Sequence, residues 1–204
     1  PSNLKLRTAL TESSIAYNGM VGVDLAEGEE AFNKIRCLFA SLPTHFIIAT
    51  LDPEVNNVTQ FAGKVVAFGP YTGSTDISSR AVFGALGIID SFEITNAGWG
   101  DCWTAMGEGQ VYAVTGGSIH PASAITELDS TKELNFVEFT DEQKAIIYEK
   151  YPYYKPVTLA AGTYESMKED FSSIGAWQAM YASADMDDDL AYMLTRTVFE
   201  HIDV

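Results

Sequence analysis

Ser118 and His120 stand two residues apart in "TGGSIHP", close enough for a hydroxyl nucleophile and an imidazole base to meet. Such a pair needs a carboxylate to orient the base, and in many hydrolases the serine sits in a G-x-S-x-G elbow. Neither accompanies Ser118, so the competing reading is a turn serine beside a histidine in the wall. "DMDDDL" (185–190) has the carboxylate density of a calcium loop but lacks the glycine and terminal glutamate of an EF-hand. Asp187 to Asp189 fall where a helix begins, where acidic side chains complement the macrodipole. His45, His120 and His201 are too scattered for H-E-x-x-H, and no paired-cysteine zinc pattern occurs. The sequence offers no metal ligand set, no cofactor motif and no complete catalytic constellation.

The strongest candidate site is a turn. In "GKVVAFGPYTGSTDISSR" (63–80) a short apolar run leads into Gly69 and Gly73 interleaved with the hydroxyls of Tyr71, Thr72, Ser74 and Thr75. These neutral donors suit a carboxylate or a small polar group. The alternative is an ordinary helix cap, for which serine and threonine are common. A nucleotide P-loop is excluded because Ser74 and Thr75 follow Gly73 without the required lysine, and the spacing is not G-x-G-x-x-G. "TGGSIHP" supplies a second glycine turn, with Gly117, Ser118 and His120 as further candidate ligand neighbours.

The elements that position these turns alternate between short apolar runs and helical patterns, which predicts an α/β fold with a largely parallel sheet. Strands are expected at 36–42, 44–51, 64–68, 110–114 and 134–139, and over "SIGAWQAMYA" near the end. A helix follows the first glycine turn, with Ile77, Ala81, Val82, Ala85 and Leu86 on one face and Gly87 closing it. "WGDCWTAMGEG" reads as a helix, and "PASAITEL" as another with proline at its first position. Thr140 and Gln143 have capping-box spacing ahead of "DEQKAIIYEKY", which should stop before Pro152. Leu190, Met193, Leu194, Thr197, Val198 and His201 trace the face of a terminal helix expected to dock on a sheet. In such sheets ligands sit beyond the carboxyl ends of the strands, where both glycine turns belong.

With 204 residues, 47% hydrophobic, the chain can bury a real core. Its 28 acidic and 12 basic residues give a formal net charge of -16. A surface of that sign repels phosphate backbones and anionic headgroups, and no basic aromatic stripe offsets it, so nucleic acid and membrane surfaces are poor partners. No apolar stretch approaches the ~20 residues that span a bilayer. Cys37 and Cys102, far apart in sequence, are expected to be free and buried. The opening "PSNLKLRTAL" contains no signal peptide.

The distributed pattern resembles the TAXI family of TRAP-transporter solute receptors. "SSIAYNG", "FASLPTHFIIAT", "FAGKVVAFGPYTGSTD", "GQVYAVTGGSIHPASAI" and "KYPYYKPVTLAAGTY" resemble that family's segments in the correct order, the last most specifically. The resemblance implies a periplasmic binding protein type II-like fold, with two lobes joined by a hinge and a cleft that closes on a small organic anion of the glutamate, glutamine or 2-oxoglutarate class. It implies a periplasmic location, a TRAP membrane permease as partner, no reaction catalysed and no cofactor. Glu12 and Ser13 would face the ligand from the other lobe.

Glu12-Ser13-Ser14 departs from the family's Gln-Ser-Asp, and "PYTGST" from its "PGSGT", which implies a shifted ligand preference. Relative to the family the chain is expected to be N-terminally truncated. Residues 1–51 would form a partial first lobe, 52–152 the second lobe, and 153–204 a return crossover with a C-terminal helix packing on the first. The incomplete lobe would expose apolar sheet, to be covered by a partner chain or by self-association. Two other readings stay open: an enzyme on the same bilobal fold using His120 or a cleft carboxylate as acid or base, and a ligand-free interaction fragment.

Overall fold

A computed structural model describes residues 8–22 and 31–202. Its elements, in chain order, begin with β1 (Thr8–Glu12), α1 (Ser13–Val21), β2 (Ile35–Pro43), β3 (His45–Thr50) and β4 (Val65–Ala67). They continue with α2 (Ser74–Ala85), β5 (Glu93–Thr95), α3 (Trp99–Gly107), β6 (Ala113–Ser118), α4 (Ser123–Asp129), β7 (Asn135–Phe136) and α5 (Asp141–Lys150). The last are β8 (Lys155–Leu159), β9 (Phe171–Gly175), β10 (Trp177–Ser183) and α6 (Asp188–Glu200). The chain divides into two compact units, 1–42 with 177–204, and 43–176.

The second unit is built on a five-stranded sheet of order β5-β4-β6-β3-β7. It is mixed rather than largely parallel: β4 runs parallel to β5 and β6, whereas β3 is antiparallel to both β6 and β7. "HFIIAT" reads as an uninterrupted apolar run because both faces of β3 are covered. Phe46 and Ile48 join the cluster containing Val66, Phe68, Val82 and Phe83. Ile47 and Ala49 join the one containing Ala67, Trp103, Met106 and Ile125. The capping box of α5 forms, with Thr140 and Gln143 exchanging side-chain and backbone bonds, and the helix ends at Tyr151, before Pro152. β8 and β9 pair antiparallel as a separate ribbon.

Several expected boundaries move. β3 belongs to the second unit because it is hydrogen-bonded to β6 and β7, so the compact units divide after residue 42 rather than after 51. They divide again after 176, where "SIGAWQAMYA" breaks into β9 and β10, rather than at 152. Strand β6 starts three residues later than expected. Gly116 and Gly117 are therefore strand residues paired with Ile47 and Phe46, not a turn. Helix α4 starts at Ser123 with Ala122 as its N-cap, which leaves Pro121 outside it.

In the first unit, β10 is the central strand between β1 and β2, antiparallel to β1 from Thr8↔Ala182 to Glu12↔Gln178. Helix α1 follows β1 directly and ends at Gly22, whose φ of 75° allows the left-handed cap. Asp187 caps α6, accepting from the N–H groups of Asp189 and Leu190, so the acidic run serves a helix start. Helix α6 clusters with the first unit, where Phe199 meets Phe39 of β2 edge-on at 6.0 Å, but the contact is shallow and no α6 residue is fully buried. Both cysteines are free, but Cys37 is exposed on β2, contrary to expectation. Cys102 is buried in α3, and burial pushes its thiol pKa up.

Candidate functional site

The first glycine turn lies at the carboxyl end of β4 and opens α2. Gly73 is the N-cap and no side chain caps the helix, so the first-turn N–H groups of Ser74 and Thr75 keep the partial positive charge of a helix start. Tyr71, Thr72 and Ser74 are exposed around them. Of the expected apolar face, Ala81 and Val82 are buried, Ala85 and Leu86 pack partly buried against the same cluster, and Ile77 is half-buried. What α2 buries against β6 is a stripe of hydroxyls: Thr75, Ser78 and Ser79, with Val82 continuing it. Ser79 Oγ donates to the Thr115 carbonyl at 3.2 Å, and Ser78 Oγ accepts from the Gly117 N–H at 3.2 Å.

This close approach explains the glycines. A Cβ at Gly116 would lie 2.7 Å from Thr75 Cβ, and one at Gly69 would lie 2.2 Å from Thr75 Oγ1. Thr75 is therefore wedged between the two glycine segments, 8% exposed, and its Oγ1 is sealed from solvent without a hydrogen-bond partner. Of the hydroxyls expected at the turn, those of Tyr71, Thr72 and Ser74 lie on exposed residues, whereas that of Thr75 packs.

Three residues that sequence reasoning missed hold the turn in place. The buried Asp76 carboxylate accepts from the Thr72 N–H at 3.0 Å, from Arg80 Nε at 2.9 Å and from Asn96 Nδ2 at 3.0 Å. Asn96 Nδ2 also donates to the Gly69 carbonyl at 2.9 Å, which ties the end of β5 to the end of β4. The i,i+4 spacing of Asp76 and Arg80 was a legible signal; the position of Asn96 was not.

At the end of β6, His120 is locked by a hydrogen-bond chain that fixes its tautomer. The His45 carbonyl can only accept, and at 3.4 Å it calls for the proton on Nε2, which also faces Ser118 Oγ at 3.1 Å. Nδ1 is then left to accept from Tyr164 Oη at 2.6 Å, while Tyr164 Oη itself accepts from the Ala122 N–H at 2.9 Å. Burial pushes the His120 pKa down to about 4 and that of Tyr164 up to about 12, which keeps the imidazole neutral and the phenol a donor. The imidazole offers Ser118 a proton rather than a lone pair, the opposite of what a nucleophile needs. The third partner is a phenol, not a carboxylate.

Glu12 and Ser13 belong to the first unit. Glu12 is buried and accepts from Ser14 Oγ at 2.6 Å; Ser13 Oγ accepts from the Trp177 N–H at 3.2 Å. The remaining candidates, from Tyr71 to His120, lie in the second unit, where packing of α2 on β6 brings the two glycine segments together.

Two cavities lie elsewhere. One of about 700 Å³ in the first unit is lined by residues such as Ile35, Tyr181 and Met186. The other, about 490 Å³, lies at the amino ends of β4 and β6, opposite the glycine turn, with Asp52, Lys64 and Tyr112 on its walls. Tyr112 Oη donates to Asp52 Oδ2 at 2.7 Å, and Lys64 Nζ stands 4.8 Å from the Tyr112 ring centroid, so these polar groups satisfy one another. Among the described residues no group of three or more His, Cys, Asp or Glu side chains is placed to hold a metal ion. No described helix is long and apolar enough to cross a membrane.

The fold is that of periplasmic binding proteins. A TctC solute-binding protein from Polaromonas superposes with a TM-score of 0.54 at 14% identity, covering 95% of this chain and 62% of that one. A structure described as a periplasmic transporter gives 0.54 at 12% identity, over 96% and 63%. A protein from Archaeoglobus fulgidus gives 0.52 at 15% identity, over 98% and 61%. The chain thus spans about three fifths of the length of these structures. The description of the NMT1-like family matches residues 2–204, and the chain belongs to that family.

Proposed function

We propose that this protein is a solute-binding receptor of a bacterial transport system, which captures a small organic anion at the α2 turn and catalyses no reaction. The observation that carries the reading is the uncapped start of α2, where Thr72 and Ser74 are exposed beside the free first-turn N–H groups of Ser74 and Thr75. An anion carboxylate is the ligand such a helix start favours. Arg80 neutralises the one buried carboxylate beneath it. The net charge of -16 does not oppose capture, because charges beyond roughly 8 Å are largely screened at physiological salt while these donors act at contact distance. Gly117, Ser118 and His120 contribute the end of β6 as a second wall.

The finer reading is a TRAP-type receptor of the TAXI kind, located in the periplasm, that delivers a glutamate, glutamine or 2-oxoglutarate-class anion to a membrane permease. Membership of the NMT1-like family and the binding-protein fold support it. The test is thermal unfolding of the protein against L-glutamate, L-glutamine, 2-oxoglutarate and C4 dicarboxylates. A ligand at 100 times its dissociation constant stabilises by about 2.7 kcal/mol, which raises the midpoint by several degrees in a chain of this size. A panel that leaves a cooperative transition unmoved contradicts this ligand class.

A further inference from the structure

Thr72 has a φ of 60°, the only positive φ of a non-glycine residue among the described residues. A β-branched side chain rarely adopts the left-handed region, because its Cβ crowds the following carbonyl, and such conformations persist only where the surroundings hold them. Glycine would occupy the position without strain. The holding group is visible. The Thr72 N–H donates to Asp76 Oδ2, while Oδ1 of the same carboxylate is tethered by Arg80 Nε and Asn96 Nδ2. Asp76 is 2% exposed, so this carboxylate is fixed between α2 and the end of β5. The turn is closed by the Gly73 N–H on the Pro70 carbonyl at 2.8 Å. The Arg80 guanidinium also lies 5.8 Å from the centroid of the exposed Tyr71 ring.

We propose that Asp76 is a positioning residue for the anion site: its tethered carboxylate holds Thr72 in the left-handed conformation and so sets the Tyr71 and Thr72 side chains as a preformed wall beside the α2 N-terminus. The inference rests on the solute-binding reading. A preformed wall lowers the ordering cost that a loop closing on its ligand would otherwise carry. It also makes Thr72, rather than the sealed Thr75, the threonine that determines which anion fits.

The test has an arm without ligand and an arm with it. In the unliganded protein, amide exchange at Thr72 is protected, and Asp76→Asn speeds it roughly tenfold while leaving the Ile77 amide unchanged, the weight of one charge-assisted hydrogen bond. Thr72→Gly raises the thermal midpoint by about 2 °C through relief of strain. An unprotected Thr72 amide, exchange indifferent to Asp76→Asn, or a lower midpoint in Thr72→Gly overturns the positioning role.

In the second arm, L-glutamate and 2-oxoglutarate are titrated into the wild type and Thr72→Gly. The expected result is roughly tenfold weaker binding in a variant that is more stable, a combination that a merely structural role does not produce. Equal affinity in the two proteins overturns the wall. If the wild type binds neither probe, the solute-binding reading fails for these anions, and the exchange arm still decides whether Asp76 holds the turn.

Discussion

The two units carry similarly apolar sequence and use it differently. In the second, Phe46, Phe68, Phe83 and Trp103 are almost completely buried against a sheet covered on both faces. In the first, the buried apolar residues described are Ala16, Ala179, Ala182 and Met186, while Leu10, Phe32, Tyr192, Met193, Phe199 and Ile202 are exposed by half or more. Helix α6 is amphipathic in pattern yet buries none of its residues. Periodicity reports which face of an element needs a partner, not whether the partner is present.

The largest expected contrast follows from that difference. Phe83→Ala should cost ~3–5 kcal/mol, whereas Phe199→Ala on α6 should stay within ~0.5 kcal/mol. Urea denaturation of the two variants measures both, and equal costs would break the distinction between the units. Next comes acid sensitivity seated in the second unit. His120 has a folded pKa of about 4, below its ordinary value of 6.5, so the unfolded chain binds its proton first. Stability is then fully present above about pH 6.5, falls as the pH drops towards 4 by up to about 3 kcal/mol, and loses no more from this group below that. His120→Gln should flatten the slope of stability against pH between 4 and 6.5; an unchanged slope would place the sensitivity elsewhere.

Smaller effects separate two kinds of glycine within the second unit. Gly116→Ala meets Thr75 Cβ at 2.7 Å and should cost ~1–3 kcal/mol. Gly162→Ala meets nothing within 4 Å and carries only the left-handed strain of its φ of 81°, ~1 kcal/mol. Thermal midpoints of the two variants order them, and the reverse order would show that Thr75 yields.

Sequence reasoning was most successful where local chemistry decides. The capping box at Thr140, the acidic start of α6, the strand "HFIIAT" and the glycine turn ahead of α2 each depend on residues a few positions apart. It failed where a distant partner decides. The glycines of "TGGS" looked like a turn, but they are strand residues thinned to admit Thr75 from α2. The apolar face of α2 was legible, with Ala81 and Val82 buried, but the hydroxyl stripe of Thr75, Ser78 and Ser79 that also packs, against the glycine strand β6, was not. Ser118 and His120 were legible as a turn serine beside a wall histidine, but Tyr164, the partner 44 residues on that holds the imidazole, was not. Asp76 and Asn96 came together only when β5 and α2 were set side by side.

The most direct measurement is an amide chemical-shift map of the protein titrated with the anion panel. The account predicts shifts concentrated at Thr72, Ser74 and Thr75, with smaller ones at Gly117 and Ser118. Shifts confined instead to the first-unit cavity around Ile35, Tyr181 and Met186, or to the opposite sheet edge at Asp52 and Lys64, would contradict it.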